Sequence, residues 1–185
     1  MQPIFTVQYG EFAVADFLSK QIKNASVFIP ASAQEKGIDL LLYRHENGRN
    51  LTNTIQVKMS RTYYKDNIKA PYPYSLWFNK FNVQQNANWY ILVGIYAKHP
   101  SNAQTAKANS TKWDTIMLAF KNNEMAYFMA HKVKQKKNPS QDDKMFGFSF
   151  NAANQIFQTR GVSSPTDMSQ FLISNRIVEI NNSFI

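Results

Sequence analysis

Asp39, Gln56 and Lys58 place an acid, an amide and an amine inside two otherwise apolar segments, Gly37-Ile38-Asp39-Leu40-Leu41-Leu42-Tyr43-Arg44 and Ile55-Gln56-Val57-Lys58-Met59-Ser60. Carboxylate and amide oxygens suit a hard divalent cation, and an adjacent ammonium can stabilise charge that builds on an oxyanion. Glu11 supplies a second acid from an earlier segment. Two carboxylates at one site repel unless a proton or a cation joins them, and burying them uncompensated costs several kcal/mol per ion. Oxygen ligands from Asp39, Glu11 and the Gln56 side chain, with the main-chain carbonyl of Val57 and waters, fit Mg²⁺ or Mn²⁺ better than zinc.

The elements that must position these groups follow from local pattern. Between the two segments lies His45-Glu46-Asn47-Gly48-Arg49-Asn50, and Asn-Gly best tolerates the positive φ angles of a type I′ hairpin turn. With Asn47 and Gly48 at the turn, Asp39 falls opposite Gln56 and Gly37 opposite Lys58, all on one face of the hairpin. Tyr9 to Lys23 has helical periodicity. Val14, Ala15, Leu18 and Ile22 share a stripe whose centre is Glu11, while Asp16, Ser19, Lys20 and Lys23 take the solvated side.

Each residue taken singly has a structural alternative. Asp39 can satisfy a turn, Gln56 can be an ordinary buried amide, Lys58 can extend its stem to water, and Glu11 can pair with Lys58. Glu35 and Glu46 are further acids nearby, in predicted loops. The ordered set is what points to a site.

Further along, Ser26 to Pro30 reads as a short strand, Leu76 to Gln85 as a helix, and Trp89 to Ala97 as a central strand buried on both faces. Lys98 to Lys112 reads as a surface insertion, and Thr115 to Phe120 as a strand. Asn122 or Asn123 caps a predicted helix to about Val133 with a basic exit, and Met145 to Phe150 reads as an edge strand. Ser164-Pro165-Thr166-Asp167 predicts a closing helix from Pro165 to Arg176. The order implies an α/β fold, a mixed sheet flanked by helices.

At 185 residues the chain has length for one sizeable core, and its 44 % hydrophobic content excludes a disordered or fibrous chain. The absence of cysteine excludes disulfides and thiolate metal sites. No apolar run reaches the roughly 20 residues that span a bilayer, and the amino terminus lacks a secretory pattern, so an intracellular, cytoplasmic protein is expected. The net charge of +9 is uneven: residues 61–112 carry seven basic side chains and one acid, Asp66. Within that third, Arg61, Tyr63, Tyr64, Lys65, Lys69 and Lys80 interleave cations with aromatics, a composition suited to a phosphate backbone and unpaired bases. His45, His99 and His131 have no ligand spacing and receive no catalytic role.

Glu11 on the first helix, Gly37-Ile38-Asp39 entering one strand and Gln56-Val57-Lys58 on the next together resemble the PD-(D/E)XK nuclease superfamily, particularly its Mrr-like branch with QxK in place of the acidic motif. The resemblance covers residues 9–60, and residues 61–97 by element order. It implies a restriction-endonuclease-like core and Mg²⁺-dependent phosphodiester hydrolysis, with DNA the favoured partner and a homodimer possible. Asp39, Gln56 and Glu11 are then metal ligands and Lys58 the catalytic lysine. A single nuclease-like domain spans 1–185, with core motifs in 9–97, the insertion at 98–112 and additional strands and helices over 113–185. Two departures stand out: Ile38 replaces the usual Pro, and neutral Gln56 leaves two carboxylates where most members have three, which weakens metal affinity. The alternatives are a nuclease-like fold that binds nucleic acid or protein without cutting, and an unrelated α/β protein with a basic surface.

Overall fold

A computed structural model describes residues 4–30, 36–65, 71–97, 113–133 and 145–185. The predicted insertion at 98–112, Lys69, Glu35, His99 and most of the basic exit after Val133 lie outside the described residues. The fold is mixed α/β: a nine-stranded sheet with three α-helices among the described residues.

Helix α1 (Ile4–Gln21) leads to β1 (Ser26–Phe28), then to the hairpin of β2 (Leu40–Glu46) and β3 (Arg49–Tyr64). Asn47 and Gly48 adopt φ of 52° and 73°, and the register runs from Glu46↔Arg49 to Leu40↔Ile55, as the Asn-Gly turn predicts. The pairing ends there. Gly37 does not oppose Lys58, because it turns out of line at φ 95° and packs against Gln84.

Strand β3 outlasts its partners. β2 accompanies it only to Ile55, and β4 (Tyr74–Asn79) joins it only at Thr62. From Gln56 to Arg61 its ladder is with β5 (Trp89–Ala97) alone, in parallel, and β5 pairs antiparallel with β6 (Trp113–Lys121). A gap between β2 and β4 is therefore built into the sheet beside Gln56–Arg61.

Two apolar cores lie on the two faces of β5. Trp89, Ile91 and Val93 face α1, where Val14, Leu18 and Ile22 pack on Leu40, Leu42, Ile55 and Val57. Tyr90, Leu92 and Tyr96 face the other way, toward Leu76, Phe78, Phe146 and Phe148. This alternation accounts for the continuous apolar run predicted as a doubly buried strand.

Three expectations are corrected. Residues 76–85 do not form a helix: Tyr74, Leu76 and Phe78 point inward with a period of two, so Tyr74–Asn79 is the strand β4, and residues 80–84 leave it without regular structure. β7 (Met145–Phe150) is no edge strand, since β4 covers one side and β8 (Ile156–Arg160) the other. The closing helix does not start at Pro165. Thr166–Asp167 form a short strand, β9, against β8, and the Asp167 carboxylate accepts the Ser169 N–H at 2.8 Å to open a 3₁₀ turn. Leu172 is extended (ψ 132°), so α3 runs from Ile173 to Asn182.

The predicted helix after β6 is present but shorter and irregular. α2 (Asn122–Tyr127) passes into a π-helical turn at Phe128–Lys132, and Glu124 reaches back to the Lys121 N–H at 2.8 Å in the manner of a capping box. No described helix is long and apolar enough to cross a membrane.

Candidate active-site groove

The gap beside β3 opens into a groove of about 500 Å³. Its lining includes Glu11 from α1, Asp39 immediately before β2, and Val57, Lys58, Met59, Ser60 and Arg61 from β3. Thus Glu11, Asp39 and Lys58, distant in sequence, share one concavity.

Asp39 is fixed by the departure of β2. Its N–H donates to the Ile55 carbonyl at 2.9 Å, the last rung of the hairpin, and its carboxylate accepts the Val57 N–H at 2.7 Å. That amide belongs to the stretch of β3 without β2 pairing, so the side chain satisfies a donor that the strand leaves open. Burial pushes the Asp39 carboxyl above its ordinary value, although the Val57 N–H and the Lys58 charge oppose the rise.

Glu11 arrives on α1, whose preceding residue, Gly10, lies so close to β3 that a Cβ there would stand 3.0 Å from Met59 Sδ. Burial raises the Glu11 carboxyl, and the negative charge of Asp39 raises it further. Each acid is thus held toward its protonated form, Asp39 by burial and Glu11 by burial together with the Asp39 charge. No ion pair joins Lys58 to either acid among the described residues. Lys58 instead carries its ammonium 5.6 Å from the centre of the Phe81 ring, at the groove wall.

Gln56 is placed differently. It is buried next to this cluster, in register with Tyr90, but it does not line the groove, and its Oε1 has no hydrogen-bond partner among the described residues. A buried amide oxygen without a donor costs roughly 1–3 kcal/mol.

The donor chemistry of the groove fits a divalent cation, with two carboxylates, one of them raised by the other's charge, and main-chain carbonyls of β3, while the orphaned Gln56 oxygen lies off its lining. Among the described residues no group of three or more His, Cys, Asp or Glu side chains converges, so an ion here draws on two acids. Glu46 pairs with Arg44 at 3.5 Å, and His45 bonds Asn50 at 2.8 Å.

Of the predicted nucleic-acid contacts, Arg61, Tyr63 and Lys80 line the same groove, joined by Trp77. Tyr64 and Lys65 do not. Tyr64 leans on Tyr74 with ring centres 5.3 Å apart, and the Lys65 N–H closes the β3–β4 turn on the Pro73 carbonyl at 2.8 Å. Trp77 belongs to the aromatic and basic stretch from Arg61 to Lys80, but the helical reading of Leu76 to Gln85 leaves its direction unset; the alternation of Tyr74, Leu76 and Phe78 is the signal that turns it to the other face.

No protein-family model, curated protein or solved structure matches the chain. The functional reading therefore stands on the groove itself.

Proposed function

We propose that the chain is a metal-dependent nuclease with a restriction-endonuclease-like sheet, hydrolysing phosphodiester bonds, with DNA the favoured substrate. One observation carries this reading: Glu11, Asp39 and Lys58 share a groove whose wall also presents Arg61, Tyr63 and Lys80. Glu11 and Asp39 would hold Mg²⁺ or Mn²⁺ with the Val57 carbonyl, and the Gln56 amide oxygen would join them only by turning toward the groove. When bound, the cation supplies neutralisation of charge at the scissile phosphate and polarises its oxygens.

The chain's own groups do the rest. The Val57 N–H keeps the Asp39 carboxylate in a single orientation. Lys58 sets a positive charge beside the position where phosphoryl oxygens gain negative charge as water attacks in line and the opposite P–O bond breaks. Arg61 and Lys80 neutralise neighbouring phosphates and so fix the strand along the groove.

A second reading, a nuclease fold that binds without cutting, is favoured by the position of Gln56 off the groove lining. Two acids alone would hold a cation weakly. Incubating the protein with supercoiled plasmid, single-stranded DNA and RNA in Mg²⁺ or Mn²⁺ separates the two. The nuclease reading expects cleavage by wild type and none by Asp39→Ala or Lys58→Ala. Binding without cleavage by wild type would favour the second reading, and equal cleavage by all three proteins would identify a contaminant.

A further inference from the structure

The outward face of β4 carries flat groups that do not serve the core. Trp77 pairs with Gly147 on β7, and Gly147 with Arg160 on β8. A Cβ on Gly147 would stand 2.2 Å from Trp77 Cδ1 and 2.7 Å from the Leu76 carbonyl oxygen. The indole therefore occupies the space that any side chain at position 147 would take. The Arg160 guanidinium lies 5.3 Å from the indole centre. Tyr63 stacks on the same indole, ring centres 4.7 Å apart and planes 25° from parallel.

The outermost ring is left open: Tyr63 is 49 % exposed, while Leu76 and Phe78 of the neighbouring strand are buried on the other face. An exposed ring backed by a second ring and a guanidinium is built to receive another flat π-system. Tyr63 and Trp77 also line the groove that carries Lys58, Arg61 and Lys80, so the ligand that brings this π-system is anionic. A nucleotide with an unstacked base has both properties. A base inside a duplex has its faces covered by its neighbours and cannot reach the ring.

We propose that Tyr63 and Trp77 form a stacking platform for an unpaired base, so that single-stranded nucleic acid is the ligand class of the groove. This rests on the nucleic-acid reading of the groove and sharpens it to a strand state. Gly147 is the residue that permits the platform, and Arg160 braces its inner ring.

Binding measured in EDTA separates the platform from cleavage. Fluorescence anisotropy is recorded with labelled oligo(dT), oligo(rU), an abasic single strand of equal length and a duplex. Wild type is expected to bind the base-bearing single strands more tightly than the abasic strand or the duplex. Tyr63→Ala should weaken oligo(dT) and oligo(rU) by roughly five- to a hundredfold, the scale of one lost base stack, and the abasic strand and duplex by less than about twofold. Tyr63→Phe should restore binding. The preference between oligo(dT) and oligo(rU) distinguishes DNA from RNA.

Equal weakening of all four ligands by Tyr63→Ala, unchanged oligo(dT) binding, or no binding of single strands by wild type would overturn the platform. Base-selective binding that depends on Tyr63, with no cleavage once Mg²⁺ is added, would sink only the nuclease reading. Cleavage that persists without base selectivity would sink only the platform.

Discussion

The same side-chain types form two clusters in this molecule, and they are treated in opposite ways. Arg176 on α3 is buried, lies 5.2 Å from the Trp89 ring centre, and donates to both carboxylate oxygens of Glu124 at 3.0 and 2.9 Å. It also pairs with Glu179 at 2.8 Å, and Lys121 reaches Glu179 at 2.7 Å. The Lys121 hydrogen bond, together with the Arg176 charge, holds the Glu179 carboxyl below its ordinary value. In the groove the charges are left unresolved. Glu11 and Asp39 are both raised, and Lys58 closes an ion pair with neither among the described residues. The first cluster pairs its charges and so serves stability, whereas the second leaves unbalanced the charges that the proposed cation would neutralise.

This contrast can be broken at either end. The largest effect is expected in the groove, where Lys58→Met should lower the cleavage rate about 100- to 1,000-fold, the usual loss for one transition-state charge donor. Its unfolding midpoint in urea should stay near that of wild type. Arg176→Ala should do the reverse: leaving Glu124 without its cation and Glu179 with Lys121 alone, beside a buried space, should cost about 2–3 kcal/mol in urea unfolding, below the full loss for a completely buried pair because both acids are partly exposed. Cleavage under native conditions should be retained. Loss of stability in the first variant, or of activity alone in the second, would erase the distinction.

Asp39→Asn tests the conflict itself. Because the folded state raises the Asp39 carboxyl above 3.8, the folded chain binds that proton more tightly than the unfolded chain. Stability linked to this group is full below pH 3.8 and declines as pH rises from there through the folded pKa. Asn cannot ionise and keeps an oxygen for the Val57 N–H, so the variant should gain about 2–4 °C in Tm at pH 7 and no advantage in strong acid. A lower Tm at pH 7 would mean that the carboxylate stabilises the fold. The smallest effect belongs to an exposed pair, Lys20–Asp16 at 2.6 Å, where Asp16→Ala should change stability by about 0.5 kcal/mol or less in urea unfolding.

The half of the molecule that holds the acids was the more legible in sequence. Asn47-Gly48 sets a register that holds from Glu46↔Arg49 to Leu40↔Ile55, and the apolar stripe of α1 locates Glu11 on a helix face turned toward the sheet. Trp89 to Ala97 announces a doubly buried strand by composition alone. The other half misled because its signals are tertiary. Leu76 to Gln85 has no strong helix breaker, and only pairing with β3 and β7 makes its first residues a strand. Ser164-Pro165 has the composition of a helix start, but β8 draws Thr166–Asp167 into a strand pair. Gly147 draws no sequence reading of its own, because its reason is the indole of Trp77 lying across it. Gln56 was legible as Asp39's neighbour but not as a side chain off the groove lining, because side-chain direction at the end of a hairpin depends on where pairing stops.

Carbon-13 NMR titration of the Glu11 and Asp39 carboxyl carbons, with and without Mg²⁺, is the most direct probe of the idea that these acids await a cation. The account predicts that both titrate above ordinary carboxyl values in EDTA and that both midpoints fall when Mg²⁺ is added. Midpoints that are ordinary from the start, or that ignore Mg²⁺, would contradict it.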